Sequence, residues 1–346
     1  MVETGERLRH RTFVARWLSM RGVVVLALIL LVVFPFLPFS YALAVLTDVL
    51  IFGLFAMSLD LLLGYTGLVS FGHAAFFGIG AYVAGIVGIH VGPQIYLTLP
   101  AALASAALAA LVIGYFSIRT TGVYFLMLTL AFSQMVYAAA FKAPFTGASN
   151  GLAGIPRPTL GGGFGFADST AFYYLVLALV LLSYWIMARL VAAPFGKSLR
   201  GIKENESRMR AVGYNVQRYK LAAFVIAGAF AGLAGALRAQ FNFFVAPDTL
   251  YWTTSGIVLV MVIIGGAGTL VGAALGAGLV QVLQNLISSY TERWPLLLGA
   301  IFILFVLYAP KGMMGMVDQL NNKALHVSTL ARSNVPTRDD DGRLGG

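Results

Sequence analysis

Asp48, Asp60, His73, Gln134, Arg238, Gln281, Gln284 and Asn285 can carry a proton, a charge or a hydrogen-bonded solute, and all sit in otherwise apolar runs of this 346-residue chain. Such groups are costly in hydrocarbon, so each is expected to face a cavity, a partner helix or an aqueous boundary. Asp60 falls one turn before Gly64, close enough to the end of its run for water to reach it. For His73 three roles are open: an imidazole satisfied by a neighbouring helix, a contact to a passing solute, or a proton relay. No carboxylate–histidine series accompanies it, which makes the relay the weakest of the three.

Covalent and metal chemistry find little to work with. The four histidines are His10, His73, His90 and His326, none in a His-Glu-x-x-His pattern, and there is no cysteine. That removes disulfides, thiolate metal sites and cysteine nucleophiles. No Walker-type phosphate loop is present, so ATP is not hydrolysed by this polypeptide. Gly147-Ala148-Ser149-Asn150-Gly151 has the letters of a serine-hydrolase elbow. An elbow requires a strand–turn–helix setting, whereas this copy sits in a Gly/Pro-rich loop without an evident histidine partner. An enzyme is therefore not expected.

Two other stretches stand out by flexibility rather than reactivity. The run from Gly64 to His73, containing Tyr65, Thr66, Gly67 and Ser70, interrupts an apolar region with polar and small residues. Ile264-Gly265-Gly266-Ala267-Gly268-Thr269 does the same in the second half. Glycine-interrupted segments at comparable places in two halves point to broken helices beside a transport pathway. Gly64, Tyr65, Thr66, Gly67, Ser70, His73, Gln134, Gly265, Gly266 and Gly268 are the pathway candidates. Gly268, Gly272 and Gly276, like Gly228 and Gly232, recur every fourth residue, which suits close helix packing.

The elements that must hold these residues follow from composition. Hydrophobic residues make up 59% of the chain and charged residues 10%, too little polar surface for a soluble domain. About 20 apolar residues cross ~30 Å of hydrocarbon as a helix. Ten candidate spans result: 22–39, 41–63, 66–89, 96–118, 121–141, 171–190, 220–241, 250–266, 269–289 and 295–309. The first lacks a small-residue cleavage site and is expected to be retained. The expected fold is an all-α integral membrane protein of about ten transmembrane helices, with spans 2–5 and 7–10 as a two-fold pseudo-repeat. Residues 22–310 form its transmembrane domain, with an irregular external loop at 142–170 and an internal loop at 191–219.

Threading the spans alternately puts residues 1–21, the 189–220 region and the 311–346 tail on one side. That side receives nearly all Lys and Arg; Lys142, Arg157 and Arg293 fall on the other, and Arg238 lies within a span. Excess Lys and Arg marks the cytoplasmic face, so both termini are expected there, with the tail disordered. The same asymmetry accounts for the net charge of +10, so no nucleic-acid partner is needed to explain it.

Within the internal loop, a helix read from Ser198 to Gly213 would gather Leu199, Ile202, Glu206, Met209 and Val212 on one face. Basic residues and Glu204 occupy the rest. This pattern suits docking into a groove on a soluble partner, and equally a helix lying flat at the lipid interface.

The run Leu63-Gly64-Tyr65-Thr66-Gly67-Leu68-Val69-Ser70-Phe71-Gly72-His73-Ala74-Ala75-Phe76-Phe77-Gly78-Ile79-Gly80-Ala81-Tyr82 resembles the signature of branched-chain amino-acid ABC permeases of the LivM type. Thr121–Phe132, Ser149-Asn150-Gly151-Leu152, Glu204-Asn205-Glu206, Val212–Lys220 and Gly265–Thr269 fit the same family in the same order. The similarity runs from about residue 20 to 316 and leaves both tails uncovered. It implies a subunit of an importer in a bacterial cytoplasmic membrane. The implied partners are a second related permease, two cytoplasmic ATPases that use the ATP, and a periplasmic binding protein. No cofactor is implied in this chain. The resemblance favours docking for the internal loop and assigns Leu199, Ile202, Glu204, Glu206, Met209 and Gly213 to ATPase coupling. The family's usual acidic-Ala-Ala core is not intact here. A urea or short-amide permease shares the Gly-Tyr-x-Gly region, and a self-sufficient secondary transporter is the alternative from another class.

The absence of cysteine gives a clean test of orientation. In spheroplasts, an impermeant maleimide should label Ser149→Cys directly and Glu204→Cys only after permeabilisation; the reverse pattern would invert the topology.

Overall fold

The computed structural model describes residues 29–36, 40–161, 164–308 and 312–315. In chain order the helices are α1 (Ser40–Thr66), α2 (His73–His90), α3 (Ile95–Ser117), α4 (Val123–Lys142), α5 (Ser169–Ala192), α6 (Pro194–Glu204), α7 (Glu206–Ala211), α8 (Val216–Asn242), α9 (Trp252–Gly265), α10 (Leu270–Ser288) and α11 (Trp294–Tyr308). Seven of them, α1 to α5, α8 and α10, are long and apolar enough to cross a membrane, so the chain is a multi-pass membrane protein. α9 and α11 are shorter apolar helices. Most of the expected first span, both terminal segments 1–21 and 316–346, and the end of the permease-like region lie outside the described residues. Of that first span, residues 29–33 are helical and Phe34–Phe36 form a 3-10 turn.

α8 is buried along most of its length and organises the bundle, with α2, α3 and α1 packed around it. Small residues make this possible. A Cβ at Gly80 of α2 would overlap the backbone of Gly232 in α8, and one at Gly228 would collide with Ala110 of α3. Between membrane helices there is little hydrophobic drive, so such backbone approach supplies the contact. α4 stays at the edge of the bundle and is the least buried of the long helices.

At the end opposite α6 and α7, the segment between α4 and α5 holds two 3-10 turns, Pro144–Thr146 and Ala148–Asn150. It also holds strands β1 (Leu152–Ala153), β2 (Thr159–Gly161) and β3 (Phe164–Gly165). β1 pairs antiparallel with β4 (Phe244–Val245), placing Leu152 opposite Val245 and tying this loop to the α8–α9 connection. Arg157 anchors it as well, its guanidinium lying 5.2 Å from the Phe172 ring and 4.9 Å from that of Phe243. Ser149 is exposed on its 3-10 turn and is followed by Gly151 and a two-residue strand, so the setting of a nucleophile elbow is missing.

Two expected boundaries need correction. The first break was placed at Gly64, but α1 runs through Gly64, Tyr65 and Thr66, and the chain leaves the helix at Gly67 (φ +73°). Gly64 serves packing rather than bending. The internal loop is also not one helix from 198 to 213. It divides at Asn205 (φ −158°), whose side chain accepts from the Arg208 amide and caps α7.

In the half of the bundle nearer the 143–168 loop, Asp48 of α1 pairs with Arg238 of α8 and accepts a hydrogen bond from Gln281 of α10 at 3.1 Å. Arg238 also lies 5.2 Å over the Phe52 ring. The sequence showed these three as separate polar residues; folding makes them one clamp on three helices. Breaking a largely buried ion pair from one side costs roughly 3–5 kcal/mol, because the other charge is stranded. Arg238→Ala should therefore lower the thermal midpoint in detergent sharply. Asp48→Asn with Arg238→Gln should cost less than the two single changes summed. Additive losses would mean that the pair does not act as a unit.

Candidate functional site

The segment between α1 and α2 is a stretch of irregular backbone from Gly67 to Gly72. Beside hydrocarbon, such backbone survives only if the protein itself supplies its hydrogen bonds. Here side-chain hydroxyls do so. The Phe71 amide donates to Thr129 Oγ1 of α4 at 3.3 Å, Gly72 donates to Ser70 Oγ at 3.2 Å, and the first turn of α2 donates from Ala74 to Ser255 Oγ of α9 at 2.8 Å. Ser133 of α4 donates to the Leu250 carbonyl at 3.1 Å, fixing the turn that leads into α9. α9 therefore starts level with the middle of α4 and the start of α2, not beyond their ends.

His73 opens α2 and is fully buried. Its ring stacks on Phe55 at 5.5 Å and meets Phe76 edge-on at 5.9 Å. Ser58 gives its proton to the Phe55 carbonyl at 2.6 Å, so His73 Nε2 supplies the N–H of the 2.9 Å bond between the two side chains. Nδ1 has no partner. The neighbouring-helix role left open by the sequence is thus filled on one side of the ring only.

At the basic end, the last turn of α1, just before the first break, meets the second break. Gly265 ends α9, Gly266 (φ +108°) and Gly268 (φ +92°) turn the chain, and α10 begins at Leu270. Gly268 lies against Gly64 so closely that a Cβ on Gly64 would overlap its amide. That amide donates to Oδ1 of Asp60 at 2.7 Å across the bare Gly64 Cα. Asp60 is completely buried, contrary to the water access expected from its place in the sequence, and its Oδ2 has no partner.

The internal loop reaches this same point. Lys203 of α6 donates from Nζ to the Gly64 carbonyl at 2.8 Å, and Arg200 lies 5.1 Å over the Tyr65 ring. Leu199 and Ile202 are buried against the chain's own helices, so α6 is seated in the bundle. α7 hangs outside it by one strong contact. Glu206 accepts from Lys220 of α8 and from Arg210, each at 2.5 Å. Burial alone would raise the Glu206 carboxyl, but the hydrogen bonds and charges of Lys220 and Arg210 outweigh it and hold it below the usual carboxylate range. Met209 is half-buried under Gly201, while Glu204, Arg208, Val212, Gly213 and Tyr214 face outward.

The remaining pathway candidates fall near these contacts. Tyr65, Thr66, Ser70, Gly265 and Gly266 are buried; Gly67 is exposed, and Gln134 on α4 is half-buried with its Nε2 unpartnered. Sequence reasoning did not single out Ser58, Thr129, Ser133, Ser255 or Lys203. A serine or threonine in an apolar helix can satisfy itself on a preceding carbonyl, as Thr47 and Thr66 do, so its type carries no signal.

Comparison with known proteins bears on this arrangement. The family model described as branched-chain amino acid transport system / permease component matches residues 41–309. The chain is 32% identical to the high-affinity branched-chain amino acid transport system permease protein LivM of Escherichia coli, over 84% of this chain and 73% of that protein. It is 29% identical to a probable LivM permease of Methanocaldococcus jannaschii over 41% of this chain and 46% of the relative. Against the LivH permease of Escherichia coli it is 24% identical over 76% of this chain and 91% of that protein. No solved structure matches. The chain belongs to the branched-chain amino acid transport system permease family.

Proposed function

We propose that this chain is one permease subunit of an ATP-driven, binding-protein-dependent importer of branched-chain amino acids, working beside a second, LivH-like permease. The observation that carries the reading is the junction of Lys203, Gly64 and Gly268. It joins a basic, outward-facing segment to the last turn of α1, which leads into the first break, and to the second break, which is what a pore driven from outside itself requires. The names of the relatives supply the cargo class, and similarity to both LivM and LivH supports a paired permease. In this reading the basic end faces the cytoplasm of a bacterial inner membrane, both termini lie there, and about ten spans cross. The α1–α2 and α9–α10 pairs are the matching broken elements of a two-fold pseudo-repeat.

ATP is bound and hydrolysed by two cytoplasmic subunits, and solute is delivered by a periplasmic binding protein. The ATPase contact belongs to α7 and its flanks, where Glu204, Arg208, Val212, Gly213 and Tyr214 are open. Leu199, Ile202, Met209 and Glu206 act behind that surface: the first three seat the segment, and Glu206 ties it to Lys220. The route for solute runs along the breaks. Gly67 and Gln134 border it in the present arrangement. Gly64, Tyr65, Thr66, Ser70, His73, Gly265, Gly266 and Gly268 reach it as the breaks move apart, a hinge displacement for which small residues are suited.

Arg208→Glu with Val212→Asp should abolish binding-protein-stimulated ATP hydrolysis in the reconstituted assembly while leaving the permease's thermal midpoint unchanged. Full stimulation in that variant would remove α7 from the ATPase contact. Uptake of solute by this polypeptide alone, driven by an ion gradient, would overturn the importer reading as a whole.

A further inference from the structure

Asp60 is a buried carboxylate that the packing does not fully use. One oxygen holds the Gly268 amide and the other has no partner. The side chain sits in the last turns of α1, whose Gly64 carbonyl is held by Lys203 from below. Lys203 Nζ and Asp60 thus meet the same helix turn, one at the Gly64 carbonyl and the other across the Gly64 Cα. An ammonium has three donors, so it can keep one acceptor while it takes a second. The backbone of Lys203 is in α6, directly before the α7 segment that hangs on Glu206 and Lys220.

From this geometry we infer that Asp60 and Lys203 are the positioning residues that deliver movement of the α6–α7 segment to the Gly64–Gly268 contact between the end of α1 and the α9–α10 turn. A displacement of α6 carries the Lys203 ammonium from the Gly64 carbonyl toward the free oxygen of Asp60. The carboxylate then divides its charge between the ammonium and the Gly268 amide, and its hold on the α9–α10 turn loosens. Lacking a side chain, Gly64 leaves the path between Asp60 and Gly268 unobstructed, and a methyl group there would occupy it. Neutral residues in these two places would fill the same space but could not exchange partners.

The inference rests on the importer reading, and the experiment separates the two. The complete assembly is reconstituted in proteoliposomes with its ATPases and its binding protein, and transport per ATP hydrolysed is measured. Lys203→Met and Asp60→Asn should each lower that ratio about tenfold, within the usual span of coupling free energies. Thermal midpoint and assembly should hold, and Lys203→Arg should restore most of the ratio. Asp60→Asn keeps an acceptor for Gly268 and so tests the charge alone. An unchanged ratio in Lys203→Met overturns the inference, and because Lys203 is on an exposed helix face that variant folds even if Asp60→Asn does not. A wild-type assembly with no ATP-dependent transport would instead overturn the importer reading.

Discussion

Once a chain leaves the helix inside a membrane, every freed amide and carbonyl must find a partner within the protein, because lipid offers none. That constraint shapes this molecule more than any single contact. The Gly67–Gly72 stretch and the start of α2 are held because Thr129 accepts the Phe71 amide and Ser255 the Ala74 amide, and the Gly268 turn because Asp60 accepts one there. These partners lie on α4, α9 and α1, so the breaks are supported only while those helices stay in register. A shift of any one of them changes which backbone groups are satisfied. Local backbone chemistry and bundle geometry are thereby coupled.

Glycine has two separate uses in this arrangement. At Gly67, Gly266 and Gly268 the backbone adopts positive φ, which a side chain would oppose. At Gly64, Gly80 and Gly232 the backbone is ordinary helix, and the missing Cβ lets a second backbone come close. The sequence shows both kinds as the same letter. That is why the first break was expected three residues too early: Gly64, the more prominent glycine after an apolar run, belongs to packing and Gly67 to the turn.

Hydropathy made the long spans legible, since ~20 apolar residues in a row have few other uses. Charge placement singled out the 189–220 loop, and the two glycine-rich interruptions marked the neighbourhood of the site. What could not be read was which polar residues meet. Asp48, Arg238 and Gln281 are separated by 190 and 43 positions, and nothing in their local pattern pairs them. Lys203 looked like one of several solvated bases in an amphipathic helix; that it reaches a carbonyl of α1 follows from how α6 seats on Leu199 and Ile202. The single helix expected from 198 to 213 failed because Asn205 satisfies the start of α7 better as a cap than as a helical residue.

The two acids of α1, one partly and one completely buried, then divide the bundle into parts of different stiffness. Asp48 shares its charge with Arg238 and receives a further hydrogen bond from Gln281, so moving any of the three helices would expose an unpaired group. Asp60, three turns along the same helix, has one backbone donor and an idle oxygen. A fully paired charge resists displacement, because every departure loses an interaction that water does not replace. A half-paired one has somewhere to go. The half of the bundle around Asp48 is accordingly fixed, while the half around Asp60, where the end of α1, the second break and the basic segment converge, can exchange one set of partners for another. α1 joins the two, so a rearrangement at the basic end turns about the Asp48 clamp instead of sliding the whole helix.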